Sequence, residues 1–391
     1  MRWRILAALT LARVAMALAF QSVAALAAPM MAEAGRDWGE IGVLVGAFMA
    51  PGVVAALVGG WLGQRFGVGR VAVAGLVTMA LSGLAMAAAT GFPTLLAARL
   101  AVGAGAVALN VMLTRMAADW FPGRELPTAM GVLSSSWPLG IALALVVLPP
   151  LGAATGWRAA FAGNAALGLL AAAMLAAAWR VPARTAAPAE APGGLTRHET
   201  ALTLLAGLVW GLYNVALVSV LSFGADLLVA RGRDPVSAAA GISSVSWACV
   251  ATIALGGWIA SRSGRPGLVT GLSLGATAAA LAALAVVETA SATTPLLIVA
   301  GLAFGPAAGP ILALTADIAR ERVRTLATGV FFAFFYALFA SGPALVGLLR
   351  EATGAPETAI LAAAAMLALA APLYALFRLA PPVAPTAQAA A

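Results

Sequence analysis

Long apolar runs separated by short polar breaks dominate this 391-residue chain. Each run holds roughly 20 residues, the length that crosses about 30 Å of hydrocarbon as α-helix. The pattern predicts twelve spans. The first six are Ile5–Met30, Glu40–Leu62, Val71–Thr90, Thr94–Ala118, Thr128–Leu148 and Arg158–Trp179. The last six are Thr203–Val229, Ser237–Ala260, Leu268–Val287, Leu296–Ala316, Thr328–Leu349 and Thr358–Leu376. The runs are too long and too evenly apolar for the alternating segments of an outer-membrane barrel, so the expected fold class is all-α.

Composition agrees. Hydrophobic residues make up 63% of the chain and charged residues 9%, against about 25% charged in soluble domains. Such a chain has too little polar surface to cover itself in water, and its natural solvent is a bilayer. The opening "MRWRILAALT" with the later "ALAAPM" has the outline of a cleavable signal. However, Arg13 interrupts its apolar core and its removal would leave an odd helix count, so it reads as the first span. The single cysteine, Cys249, falls within a span and excludes an intramolecular disulfide.

Charge sets the expected orientation. All 22 basic residues are arginine. With the N-terminus inside, fifteen lie on inner loops and ends and five on outer loops, leaving Arg13 and Arg99 inside spans. This asymmetry fits the positive-inside rule with both termini cytoplasmic in a bacterial inner membrane. The same distribution argues against nucleic-acid binding, because no single basic face collects the charge.

The longest polar stretch, 181–200, is rich in proline and glycine and reads as a cytoplasmic linker. It divides a six-helix unit over 1–180 from another over 201–391. Internal repeats support the division. "GGWLGQRFG" at Gly59–Gly67 returns as "GGWIASRSG" at Gly256–Gly264, 197 residues later. "TAMGV" at Thr128 returns as "LATGV" at Leu326, and Asp119 and Arg124 return as Asp317 and Arg322, each 198 residues on. Repeated units of this kind in membrane proteins rock against each other around a central site.

Twelve spans, a central linker and a doubled G-x-x-x-x-R-x-G loop resemble the major facilitator superfamily. Gly60, Leu62, Arg65, Gly67 and Arg70 match the family's loop pattern, and Arg99, Gly103 and Gly105 match its R-x-x-x-G-x-G in span 4. "GWRAAF" at Gly156–Phe161 is a further match. "FQSVAALAAPM", the span 2 sequence and "ADWFPGRE" are similar to the cyanate-permease-type branch. The resemblance implies two pseudo-symmetric six-helix bundles, with spans 1, 4, 7 and 10 lining the pathway. It also implies a cytoplasmic latch formed by Gly60, Gln64, Arg65, Gly67, Arg70 and Arg262. The family's usual loop acid is replaced by Gln64, and by Ser261 in the second copy, so a weaker latch is expected. The same loop also reads simply as a tight turn.

An arginine at a span centre costs about 2.5–3.5 kcal/mol on insertion scales, so it faces a cavity or a partner. Arg13, Gln21, Arg99, Asn110, Tyr213 and Asn214 are the candidate substrate contacts, with Arg99 also readable as a structural group. Asn110 stands near the Arg99 face of span 4, and Ser219, Ser222 and Asp226 share a face of span 7. Asp226 is the candidate for proton coupling. Two prolines in "FGPAAGP", Phe304–Pro310, predict a break in span 10.

Two intramembrane arginines with almost no intramembrane acid make a positively biased cavity, suited to an anion. One histidine, one cysteine, no metal-ligand spacing and no P-loop leave no catalytic constellation and imply no cofactor. The expected function is therefore alternating-access secondary transport of a small, anionic solute by a monomer, with protons as a further candidate partner. A drug or metabolite efflux transporter and a non-transporting membrane sensor stand as alternatives. The expectation covers both import and export.

Overall fold

A computed structural model describes residues 2–35, 37–121, 126–179, 194–287, 289–320 and 323–383. Among the described residues, twelve helices are long and apolar enough to cross a membrane. Span 1 is Arg2–Ala25, followed by a short helix, Ala27–Ala34. Span 2 comes in two pieces, Trp38–Ala47 and Gly52–Phe66, separated by a turn that ends at Pro51. Spans 3 to 6 are Val68–Ala88, Phe92–Trp120, Leu126–Thr155 and Trp157–Ala178. Spans 7 to 9 are Arg197–Ala230, Pro235–Ser263 and Pro266–Val286. Span 10 starts as Ala290–Phe304, passes through a 3-10 turn and resumes at Ala308–Ala313. Spans 11 and 12 are Arg324–Thr353 and Glu357–Leu379. An even number of crossings puts the start of span 1 and the end of span 12 on one face, here called the termini face; the opposite one is the far face.

Helix ends follow local chemistry. Asp37 accepts the Glu40 N–H at the start of span 2, and Asp234 accepts the Val236 and Ser237 N–H groups at the start of span 8. The Ser237 side chain first, and then these backbone N–H groups, hold the Asp234 carboxyl below the usual carboxylate range. The tight turn between spans 2 and 3 is made at Gly67, whose φ of 86° suits glycine.

Span 7 begins earlier than its apolar run suggests. Thr196 and Glu199 form a reciprocal capping box that starts the helix at Arg197, inside the stretch read as linker. Linker residues 181–193 lie outside the described part of the chain. The predicted break in span 10 is present. Pro306 and Pro310 lack N–H donors, and side chains cover carbonyls at the break: Ser273 Oγ donates to Ala303, and Tyr213 donates from its hydroxyl to Phe304 at 3.1 Å.

Helix pairing repeats with a period of six spans. Span 1 packs on span 5 as span 7 packs on span 11, and span 3 packs on spans 4 and 6 as span 9 packs on spans 10 and 12. The bundle is thus two pseudo-symmetric sets of six. The sets meet along two seams, span 2 with span 11 and span 5 with span 8. Small residues make the first seam tight. A Cβ on Gly42 would lie 2.5 Å from the Pro343 carbonyl oxygen, and one on Gly46 would overlap the Ala340 carbonyl.

Candidate functional site between the two helix sets

Arg99 is fully buried in span 4. Its Nε donates to the Leu44 carbonyl at 2.9 Å, Nη1 to Ala19 at 2.7 Å and Nη2 to Phe20 at 2.6 Å. Leu44 belongs to the last turn of the first piece of span 2, where carbonyls have no intrahelical partner. A cation at such a helix end is also favoured by the helix dipole. The guanidinium stands 4.8 Å from the Phe48 ring. One turn on, a Cβ at Gly103 would overlap the Phe48 carbonyl, and at Gly105 it would lie 2.5 Å from the Gly75 carbonyl. The R-x-x-x-G-x-G pattern therefore reads physically: Arg99 caps the interrupted span 2, and the glycines admit spans 2 and 3. A cavity of about 20 Å³, room for a water molecule, lies beside Arg99 within the first set and is lined also by Ser22 and Asn164.

Arg13 differs. It is half-buried at mid-depth of span 1, and its Nε is enclosed without a hydrogen-bond partner. Its guanidinium lies within electrostatic range of Tyr336 on span 11, and Tyr336 is within hydrogen-bonding reach of the Asn110 amide on span 4. Gly52 of span 2 makes room for the Tyr336 ring, since a Cβ there would collide with it. Three spans from both sets thus place a cation, an amide and a phenol together. The acceptor Asn110 Oδ1 is likewise buried and unpartnered. The two intramembrane arginines therefore do different things: every guanidinium nitrogen of Arg99 donates to a backbone carbonyl, whereas the Arg13 Nε has no partner.

The remaining candidates divide. Gln21 donates from Nε2 to the Leu221 carbonyl of span 7 at 2.8 Å, and its Oε1 is buried without a partner, as is Ser222 Oγ. Tyr213 is buried against the span 10 break, with its ring 4.2 Å from Phe304. Asn214 turns to its own helix, donating to the Trp210 carbonyl at 2.8 Å. Asp226 is not an isolated acid. Arg350 Nε donates to its Oδ2 at 2.6 Å, and the Arg350 guanidinium stands 5.9 Å from the Trp38 ring. Trp38 packs edge-on against Phe223, and its backbone N–H donates to Glu351 at 3.2 Å. This far-face cluster joins spans 2, 7 and 11.

The loop residues lie at the termini face. Arg65 and Arg70 are exposed, as is Arg262 of the second copy. Arg65 sits 5.7 Å from the Phe66 ring and Arg262 the same distance from Trp258. The Gly60 and Gln64 side-chain positions, and residues 321–322 before span 11, lie outside the described part, and with them the latch contact. On the same face Glu199 accepts two side-chain bonds from Arg320, at 2.8 and 3.0 Å, and its backbone N–H at 3.0 Å. The carboxylate raises the Arg320 guanidinium above its ordinary value.

Sequence reasoning missed two of these groups: Arg350, which reads as an outer-loop charge, and Trp38, which lies before the predicted start of span 2. Tyr336 stands out in the sequence as the exception in the aromatic run Phe331–Phe339. Only Thr196–Glu199 carried a usable local signal, the T-x-x-E of a capping box.

Comparison with known proteins fits this architecture. A hexuronate transporter of Bacillus subtilis (strain 168) is 27% identical over 34% of this chain, and the match spans 31% of that relative's length. The 3-(3-hydroxy-phenyl)propionate transporter of Escherichia coli (strain K12) is 28% identical over 79% of this chain and 77% of its own. A multidrug transporter of Aspergillus fumigatus is 34% identical over 27% of this chain and 20% of its own. Among solved structures, a D-xylose–proton symporter superposes with TM-score 0.78 at 13% identity, covering 95% of this chain and 97% of its own. A bacterial homolog of the human lysosomal transporter Spinster, inward-facing and occupied, gives 0.76 at 18% identity, covering 95% and 96%. The family model of the Major Facilitator Superfamily matches residues 9–225. The chain belongs to the Major Facilitator Superfamily.

Proposed function

We propose that this protein is a secondary transporter that moves a small organic anion across the bacterial cytoplasmic membrane by alternating access, with both termini inside. One observation carries the reading: Arg13, at mid-depth between the two helix sets, keeps an enclosed Nε without a partner. A guanidinium whose Nε is enclosed without a partner is costly, and an anionic ligand supplies both the charge and the acceptor it lacks. Arg99 and Asp226 do not compete for the role, since carbonyls hold the first and Arg350 the second. Two of the relatives named above are transporters of acids, which supports the same class.

The far face is stitched by Gln21–Leu221, by Trp38–Glu351 and by the glycine seam of spans 2 and 11. This closure supports an inward-facing arrangement, with the site reached from the termini face. A single chain supplies both helix sets, which supports a monomer as the working unit. Bringing one negative charge into an interior-negative cell costs about 2.3 kcal/mol per 100 mV, so import against that potential needs a driving gradient, for which we take protons as the coupled ion. Asp226 is the candidate coupling group, with its bond to Arg350 as the contact that protonation would release.

Uptake into proteoliposomes, with a panel of radiolabelled organic anions and cations, tests the proposal. Saturable uptake of an anion supports it. Saturable uptake of cations alone moves the protein to the drug-efflux class.

A further inference from the structure

The anionic reading concerns only the charged end of the substrate. The rings beside Arg13 concern the rest. Counted from helix starts on the termini face, Arg13 stands 11 residues into span 1, Trp137 11 into span 5, Tyr336 12 into span 11 and Trp210 13 into span 7. At 1.5 Å per residue these four share one depth. Just beyond them the rings form a continuous wall across both sets. Trp137 lies 5.3 Å from Phe20, Phe20 5.7 Å from Phe339, and Phe339 5.4 Å from Phe335. Phe335 in turn lies 5.0 Å from Tyr336 and 6.1 Å from Trp210. Tyr336 belongs both to this wall and to the polar group around Arg13.

Three polar side chains of span 7 donate to backbone carbonyls, Asn214 to Trp210, Ser219 to Val215 and Tyr213 to Phe304, while Ser222 Oγ further along the span is unpartnered. Against the wall of rings itself, the hydroxyls of a polyhydroxylated acid would go unpaired, each at the cost of a lost hydrogen bond. An apolar ring loses nothing by leaving water and gains edge or face contacts with the wall.

We infer that the substrate is an aryl-substituted monocarboxylate, its carboxylate held by Arg13 beside Asn110 and Tyr336 and its ring seated against Trp137, Phe335 and Phe339. This inference rests on the anion-transport reading and adds the apolar half of the ligand to it.

The test is binding to the purified full-length protein, by calorimetry and ligand-induced thermal shift. The probes are 3-phenylpropionate, glucuronate, acetate and the cationic isostere 3-phenylpropylamine. 3-Phenylpropionate is expected to bind at least about tenfold more tightly than glucuronate or acetate. Trp137→Ala should reduce that preference about tenfold, and Trp137→Phe, which keeps a ring and guards against misfolding, should retain most of it. Equal or tighter binding of glucuronate or acetate overturns the aryl assignment and leaves the anion reading standing. No binding of 3-phenylpropionate also overturns it, as does an unchanged preference in a folded Trp137→Ala. Binding of the amine with no binding of any anion overturns both readings.

Discussion

Gln21 and Leu221 are joined by a buried 2.8 Å hydrogen bond that ties span 1 of one helix set to span 7 of the other. The donor is a side chain and the acceptor a backbone carbonyl, so the bond fixes where the two sets meet at the far-face end. A buried bond of this kind contributes about 1 kcal/mol. Gln21→Leu should therefore raise the far-open population about fivefold. Labelling of a single cysteine placed beside Trp38, in a Cys249→Ala background, measures it. An unchanged labelling rate would show that this bond does not hold the closure.

Arg99 should prove a stabilising group rather than a ligand contact. Arg99→Gln leaves carbonyls of spans 1 and 2 without their charged donor, and a loss of about 2–4 kcal/mol is expected. Arg99→Lys should recover little, because one ammonium cannot reproduce a planar fork directed at three separate carbonyls. Thermal unfolding in detergent checks both. Wild-type stability together with lost anion binding would return Arg99 to the substrate site.

The Asp226–Arg350 pair links the far-face closure to a titratable group. Arg350→Ala should loosen Trp38, and a double-mutant cycle with Asp226→Asn should give a coupling of about 1–2 kcal/mol for this largely buried pair. If Asp226 couples transport to protons, Asp226→Asn should abolish uptake driven by a pH gradient while leaving substrate exchange intact. Gradient-driven uptake that survives the substitution would remove Asp226 from that role.

Much of the fold was legible because bilayer thickness imposes a length on every apolar run, and because the two prolines Pro306 and Pro310, four residues apart, predict a break in span 10. The position of the R-x-x-x-G-x-G pattern was legible too. Its direction was not, since the carbonyl that Arg99 caps through Nε belongs to the interrupted end of span 2, 55 residues away. Asp226 posed the same difficulty, because its partner is 124 residues distant on a helix end that reads as loop. Span 7 illustrates the opposite case. Thr196 and Glu199 carry a start signal in plain view, but the proline-rich stretch before them dominates the local composition.

Orientation is open to direct test. With more arginine on the termini face, a reporter fused after Arg184 should read cytoplasmic and one inserted at Arg233 should read external. A cytoplasmic reading at Arg233 would invert the assignment of the far face and with it the direction in which the site opens.

The central claim is that Arg13 is the counter-charge for an anion. It is tested most directly by ligand-induced thermal stabilisation of wild type, Arg13→Lys and Arg13→Gln across a panel of organic anions. Arg13→Gln should fold, since it removes a half-buried charge with an unpartnered Nε, and should lose stabilisation by every anion. Arg13→Lys should keep a weakened response, with charge but no bidentate geometry. A folded Arg13→Gln protein that binds the wild type's anion with unchanged affinity would contradict the account.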